Sequence, residues 1–190
     1  MKRRSTVRPR SSAGVLIAVE GLGQRALEKA ARAELDQVPR AERGGVSLWD
    51  ASGIFGDLVV AGEDAGHPSA RTLLLLYAAD LAFRLRWEIR PALLKKRHVA
   101  AAPYVGTAIA FGRSAGIDDE WLANLFAFAP QPARTCTVAR ASAADRSGFV
   151  EFVSEQLAAG GTRRRDWRDR IRAALKRDAA KAPSGRSRPR

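Results

Sequence analysis

The stretch from Val15 to Ala30, VLIAVEGLGQRALEKA, limits the fold most strongly. Its first residues form an unbroken apolar run of β-branched character, which suits a strand buried on both faces, and such strands belong to parallel sheets. Gly21 and Gly23 end the run. From Gln24 the period changes, with Leu27, Ala31 and Leu35 on one side of a helix and charged residues elsewhere. Three further segments read as strands: VSLWD (46–50), followed by the glycine-broken ASGIFGD; HVAAAPYV (98–105), followed by FGRSAG, read as a loop with two glycines; and ARTCTVAR (133–140). A long, largely buried helix is expected from its N-cap Ser69 to a kink or restart at Pro91, and another over DDEWLANLFAFA (118–129), whose first residues are acidic. The alternation predicts an α/β fold with a parallel sheet, right-handed crossovers and ligand binding at the carboxyl ends of the strands.

No apolar strand candidate follows residue 140. DRSGFVEFVSEQLA and RRRDWRDRIRAALKRDAAK both read as helices, before a Pro/Ser/Arg-rich end expected to be disordered. The expected organisation is a basic disordered tail over 1–12, one domain over 13–160, and a basic C-terminal helix with its tail over 161–190. The formal net charge of +13 belongs to the ends. Residues 1–12 carry five basic groups and no acids, and residues 161–190 carry twelve basic against three acidic, leaving 16 basic and 17 acidic groups for the rest. Such ends are either solvated solubilising tails or salt-sensitive contacts for nucleic acid or an acidic partner.

Other chemistries find little support in the sequence. The single cysteine, Cys136, allows no disulfide framework; it is expected to be a buried core residue of a cytoplasmic protein. No apolar run reaches membrane-spanning length. His67 and His98 are far apart, with no cysteine or acidic ligand pattern beside them. Ser52 and Ser69 have no partner that would make either a nucleophile. Trp167 is expected to pack on the body.

With strand, glycine turn and helix in place, the middle of the chain resembles the thymidylate kinase family of nucleoside monophosphate kinases. The likeness covers about residues 13–140 and rests on LLLLYAAD, IRPAL, the spacing from there to YVGTAIAF, and the EWL helix leading to a strand. The resemblance implies a three-layer P-loop kinase-like fold with a short parallel sheet of about four strands, the family's fifth strand being missing. It further implies ATP and magnesium as cofactors, thymidine monophosphate as acceptor, and pairing of two copies through the long helix. It places a degenerate phosphate-binding loop at Gly21, Gly23, Gln24, Arg25 and Lys29, and an acceptor-nucleotide pocket at Asp50, Tyr77, Asp80, Tyr104 and Arg113.

The residues that carry phosphoryl transfer depart from the family's pattern. The P-loop lysine falls at Leu27 and its Ser or Thr at Glu28. The Asp-Arg-Tyr triplet reads Ala102, Pro103, Tyr104; the Asp-Arg pair of the long helix reads Asp80-Leu81; and the Tyr-Gln pair reads Phe111-Gly112. Phosphoryl transfer is mostly positioning and charge neutralisation, so lost cations weigh heavily. Three readings stand: a fold retained without efficient transfer, acting by ligand or protein binding; an active kinase whose charges have moved to Arg25, Lys29, Arg113 or the tail arginines; and a nucleic-acid-associated protein working through its basic ends.

Overall fold

The computed structural model describes residues 14–138, 144–158 and 163–181. The expected tails over 1–12 and 182–190, and the end of the last strand candidate at 139–140, lie outside the described residues. Four parallel strands, β1 (Leu16–Glu20), β2 (Arg43–Leu48), β3 (His98–Ala102) and β4 (Arg134–Thr137), form one sheet in the order β2-β3-β1-β4. All pairings are parallel, with Ile17 opposite Ala100 and Arg134. The chain is therefore an α/β protein with a four-stranded parallel sheet, as the alternation of strands and helices predicts.

Alternation along β1 builds two cores, since successive side chains leave a strand on opposite faces. Ile17 and Val19 pack with Ala100 and Ala102 against Leu27, Ala31 and Leu35 of α1 (Gln24–Asp36). Leu16 and Ala18 face the larger core. That core is closed by α3 (Ala70–Arg84), α5 (Val105–Ser114), α7 (Phe149–Ala158) and α8 (Arg164–Lys181), with α2 (Ile54–Ala65), α4 (Arg90–Leu94) and α6 (Asp119–Leu125) around it. From α8, Ile171, Ala174 and Leu175 are buried in this core, and Trp167 packs 6.3 Å from the ring of Phe111.

Several boundaries differ from the expectation. The segment FGRSAG is no loop, because Phe111 to Ser114 form the last turn of α5. Gly112 belongs inside that helix because a Cβ there would lie 2.5 Å from Leu122 Cδ2. After Gly53, in the left-handed region at φ 77°, the glycine-broken ASGIFGD turns into α2. Strand β2 begins earlier than expected, at Arg43, with a register shift between Arg43 and Gly45. The long helix is interrupted before Pro91 by one π-helical turn, Leu85–Ile89. Cys136 is only half-buried, because β4 is the edge strand. Ser69 caps α3 by accepting from the Thr72 amide, and Asp118 caps α6.

Candidate functional site

Parallel strands bring all four carboxyl ends to one edge, where an α/β protein ordinarily holds its ligand. The first feature of that edge is the start of α1. Its N-cap, Gly23, has no side chain to satisfy the orphan amides of the first turn. They are met from a distant segment: Gln24 N donates to Ser147 O at 3.1 Å, and Ala26 N donates to Asp145 Oδ2 at 3.1 Å. Ser147 Oγ donates to Asp145 Oδ1, and Asp145 is only 5% exposed. A helix N-terminus attracts anions through its amides and its dipole. Here the anion is a carboxylate of the same chain.

Leu27 closes the turn from below. It is 2% exposed, and its Cδ2 would lie 3.1 Å from a Cβ on Gly21, with Val138 equally near. Gln24 turns toward Gly148, and its buried Oε1 has no hydrogen-bond partner among the described residues. Arg25 and Lys29 are exposed on the face of α1 opposite Leu27, where they line a shallow hollow with Glu28, Arg32 and Asp36. Glu28 is paired with Arg32 at 2.6 Å. Gly21, Gly23 and Gln24 thus form the turn, while Arg25 and Lys29 lie apart from it.

A second carboxylate sits at the start of α5. Glu20, at the end of β1, accepts from Gly106 N and Thr107 N at 2.8 Å, from Thr107 Oγ1 at 2.7 Å and from Tyr104 N at 3.3 Å. Burial pushes its carboxyl up from the ordinary value, and the bonds from Thr107, Gly106 and Tyr104 oppose that shift. A Cβ on Gly106 would come within 3.0 Å of the carboxylate, so glycine admits Glu20 at this point.

The third anchor lies between β2 and β3. Asp80 is fully buried and accepts from Asp50 N at 3.2 Å, Ser52 N at 3.0 Å and Ser52 Oγ at 2.9 Å. Arg84, one turn on and equally buried, donates to Ser47 Oγ, to Ser47 O and to Pro103 O, the last across the cis Ala102-Pro103 peptide. Its Nη1 lies 3.8 Å from Asp80 Oδ2. Asp50 holds φ 60° and accepts from Phe55 N at the start of α2. Asp50 and Asp80 therefore meet in one network that fixes the loop after β2.

Aromatic rings fill the space beside this network. Tyr77 is 0% exposed, donates its hydroxyl to Tyr104 O at 2.6 Å, and has Phe149 at 4.5 Å between ring centroids. Burial pushes its phenol well above the usual range. Phe55 stands 4.9 Å from Trp49 and 5.2 Å from Phe152. Tyr104 donates to Pro130 O at 2.8 Å, and burial pushes its phenol up to about 12. On its other side Tyr104 borders a cleft of about 410 Å³ with Glu20, Ile109, Thr135 and Thr137. Arg113 lies away from these groups, paired with Asp119 and Asp178 at 2.6 Å each.

One short segment, Asp145 to Phe152, thus reaches two places at once. Its carboxylate occupies the first turn of α1, and its rings cover Tyr77 and Phe55. Sequence reasoning missed Glu20, Arg84, Asp145 and Phe149. Glu20 was findable as a lone carboxylate ending an apolar strand, whereas nothing local marks Asp145 as the partner of Ala26. Among the described residues, no group of three His, Cys, Asp or Glu side chains is placed to hold a metal ion.

No protein-family model and no curated protein matches the chain. In three dimensions it is similar to a crystal structure of thymidylate kinase from Ehrlichia chaffeensis, with a TM-score of 0.60 and 16% sequence identity, over 90% of this chain and 83% of that one. The likeness at that identity lies in the backbone, and the chain has a thymidylate-kinase-like fold.

Proposed function

We propose that this chain is a thymidylate-kinase-like protein without efficient phosphoryl transfer, acting as a binding module on a kinase fold. The observation that carries this reading is the double occupancy by residues 145–152. A phosphate brought to about 4 Å from the Asp145 carboxylate meets a repulsion on the order of 4 kcal/mol at an effective dielectric of 20. It must also take the Ala26 amide from that carboxylate. A thymine ring stacked on Tyr77 would first have to displace Phe149. The residues present do not fit magnesium ATP: Leu27 and Glu28 stand where a lysine and a hydroxyl would be needed. Losing one charge-stabilising donor costs roughly a hundred- to a thousandfold in rate, and several are absent together.

The reading with relocated charges is disfavoured by placement. Arg25 and Lys29 lie on the outer face of α1, and Arg113 is held by two carboxylates. Pairing of two copies remains part of the proposal, supported by the exposed apolar rings of Phe83 and Trp87 at the end of the long helix, with Trp87 65% exposed. A cytoplasmic location belongs to the same reading; no described helix is long and apolar enough to cross a membrane. The test is a coupled assay with thymidine monophosphate and magnesium ATP. The expected result is no turnover above background, and family-like turnover would overturn the proposal.

A further inference from the structure

The hollow between α7, α8 and the 144–148 segment, about 630 Å³, is lined by Arg146, Arg164, Arg165, Arg168 and Arg172 against two carboxylates, Glu151 and Asp169. We infer that this arginine hollow, continued along the outer face of α8, is a seat for the phosphodiester backbone of a nucleic acid. The hollow is built around a buried anchor. Glu151 is 2% exposed and holds Arg164 Nη2 and Arg168 Nη1 at 2.5 Å each. Two guanidiniums are therefore fixed before any ligand arrives, which lowers the ordering cost of binding. Among the described residues, Arg165 and Arg172 pair with the exposed Asp169 alone, and exposed pairs of this kind contribute little and yield readily to a denser anion. No ion pair of Arg146 is found among the described residues.

Chemistry and extent select the ligand. All five lining cations are arginine, whose planar fork takes phosphate oxygens two at a time. The charge continues beyond the hollow on the same face of α8: Arg165, Arg168 and Arg172 are followed one turn on by the exposed Lys176, a row about 16 Å long at about 1.5 Å per residue. A small ligand cannot span that row, but a polymer of regularly spaced phosphates can. An acidic peptide suits it less, because α8 carries Asp166, Asp169 and Asp178 among its cations and only a densely charged strand outcompetes them. The remainder of the domain is close to neutral, so this face, and not a general positive field, directs the contact. The inference does not depend on whether the chain is a kinase.

The test is fluorescence anisotropy of the full chain with a labelled oligonucleotide of about 20 nucleotides, single-stranded and duplex, across about 50–200 mM salt. The hollow variant is Arg146→Ala/Arg165→Ala/Arg172→Ala, which spares the buried Glu151 pairs. Its expected Kd is at least about tenfold weaker, with the log-log salt slope reduced by about two to three and an unchanged melting temperature. A control of equal charge, Arg186→Ala/Arg188→Ala/Arg190→Ala, should lose clearly less. The inference is overturned by an equal or larger loss in the control or by no binding of the wild type at about 50 mM salt. Displacement by ATP or polyglutamate as effective as displacement by unlabelled oligonucleotide, at matched charge, also overturns it.

Discussion

Two places in this molecule are built to attract anions, and they are treated in opposite ways. The first turn of α1 offers its amides and dipole to Asp145, so its attraction is spent inside the fold. The hollow beside α8 gathers five arginines around two carboxylates and leaves the excess charge facing solvent. The loop that supplies Asp145 also supplies Arg146 to the hollow, so one short segment neutralises the first place and charges the second. A fold that uses its sheet edge for nucleotides would be expected to arrange these charges the other way round.

The largest effects should come from the interior of the neutralised edge. Arg84→Ala leaves Asp80 as an uncompensated buried charge and removes donors to Ser47 O and Pro103 O; a loss of about 3–5 kcal/mol is expected in urea unfolding. Phe149→Ala empties the space against Tyr77, Phe55 and Phe111, at a cost of about 3–5 kcal/mol. A near-neutral result in either variant would mean that the edge is loosely packed and open to ligands.

Asp145→Ala tests the neutralisation itself. Loss of an anion capping the α1 amides should cost about 1–2 kcal/mol, and added sulfate should recover part of the melting temperature by taking the vacated place. An equal response of the wild type to sulfate would show that the carboxylate does not hold the site.

Glu20 supplies a pH signature. Its folded pKa is raised by burial, so the folded state binds the proton more tightly than the unfolded state does. Stability should then fall as pH rises through the ordinary carboxyl range toward the raised value, with a slope of at most about 1.4 kcal/mol per pH unit. Glu20→Gln should lose that slope in pH-dependent unfolding. The smallest effect is expected for Lys29→Ala on the outer face of α1, within about 0.5 kcal/mol and with no change in nucleotide binding.

Much of this architecture was legible because the signals were local. Four consecutive residues of β1 (Leu16 to Val19) and of β3 (Val99 to Ala102) are apolar, and α1 shows Leu27, Ala31 and Leu35 at helical spacing. The cap at Ser69 was also readable, since its side chain bonds an amide three residues on, whereas the acidic start at Asp118 pointed to a helix beginning without marking Asp118 as the cap. Glycines misled where packing and not conformation called for them. Gly112 lies within α5 to admit Leu122, and a pattern of turn residues cannot be told from that need. The occupancy of the candidate site was hidden for a different reason: Ala26 and Asp145 are 119 residues apart, and only the folded sheet brings them together. Leu27 and Glu28 after the glycine turn were visible in the sequence, but the carboxylate of Asp145 at the first turn of α1 was not.

The central claim is that the first turn of α1 and the ring of Tyr77, at the carboxyl edge of the sheet, are already occupied by Asp145 and Phe149 of the same chain. Calorimetric titration of magnesium ATP into the full-length wild type tests it most directly. The account predicts no saturable heat, with any Kd weaker than about 1 mM. A micromolar Kd, abolished by Lys29→Ala or Arg25→Ala, would contradict it.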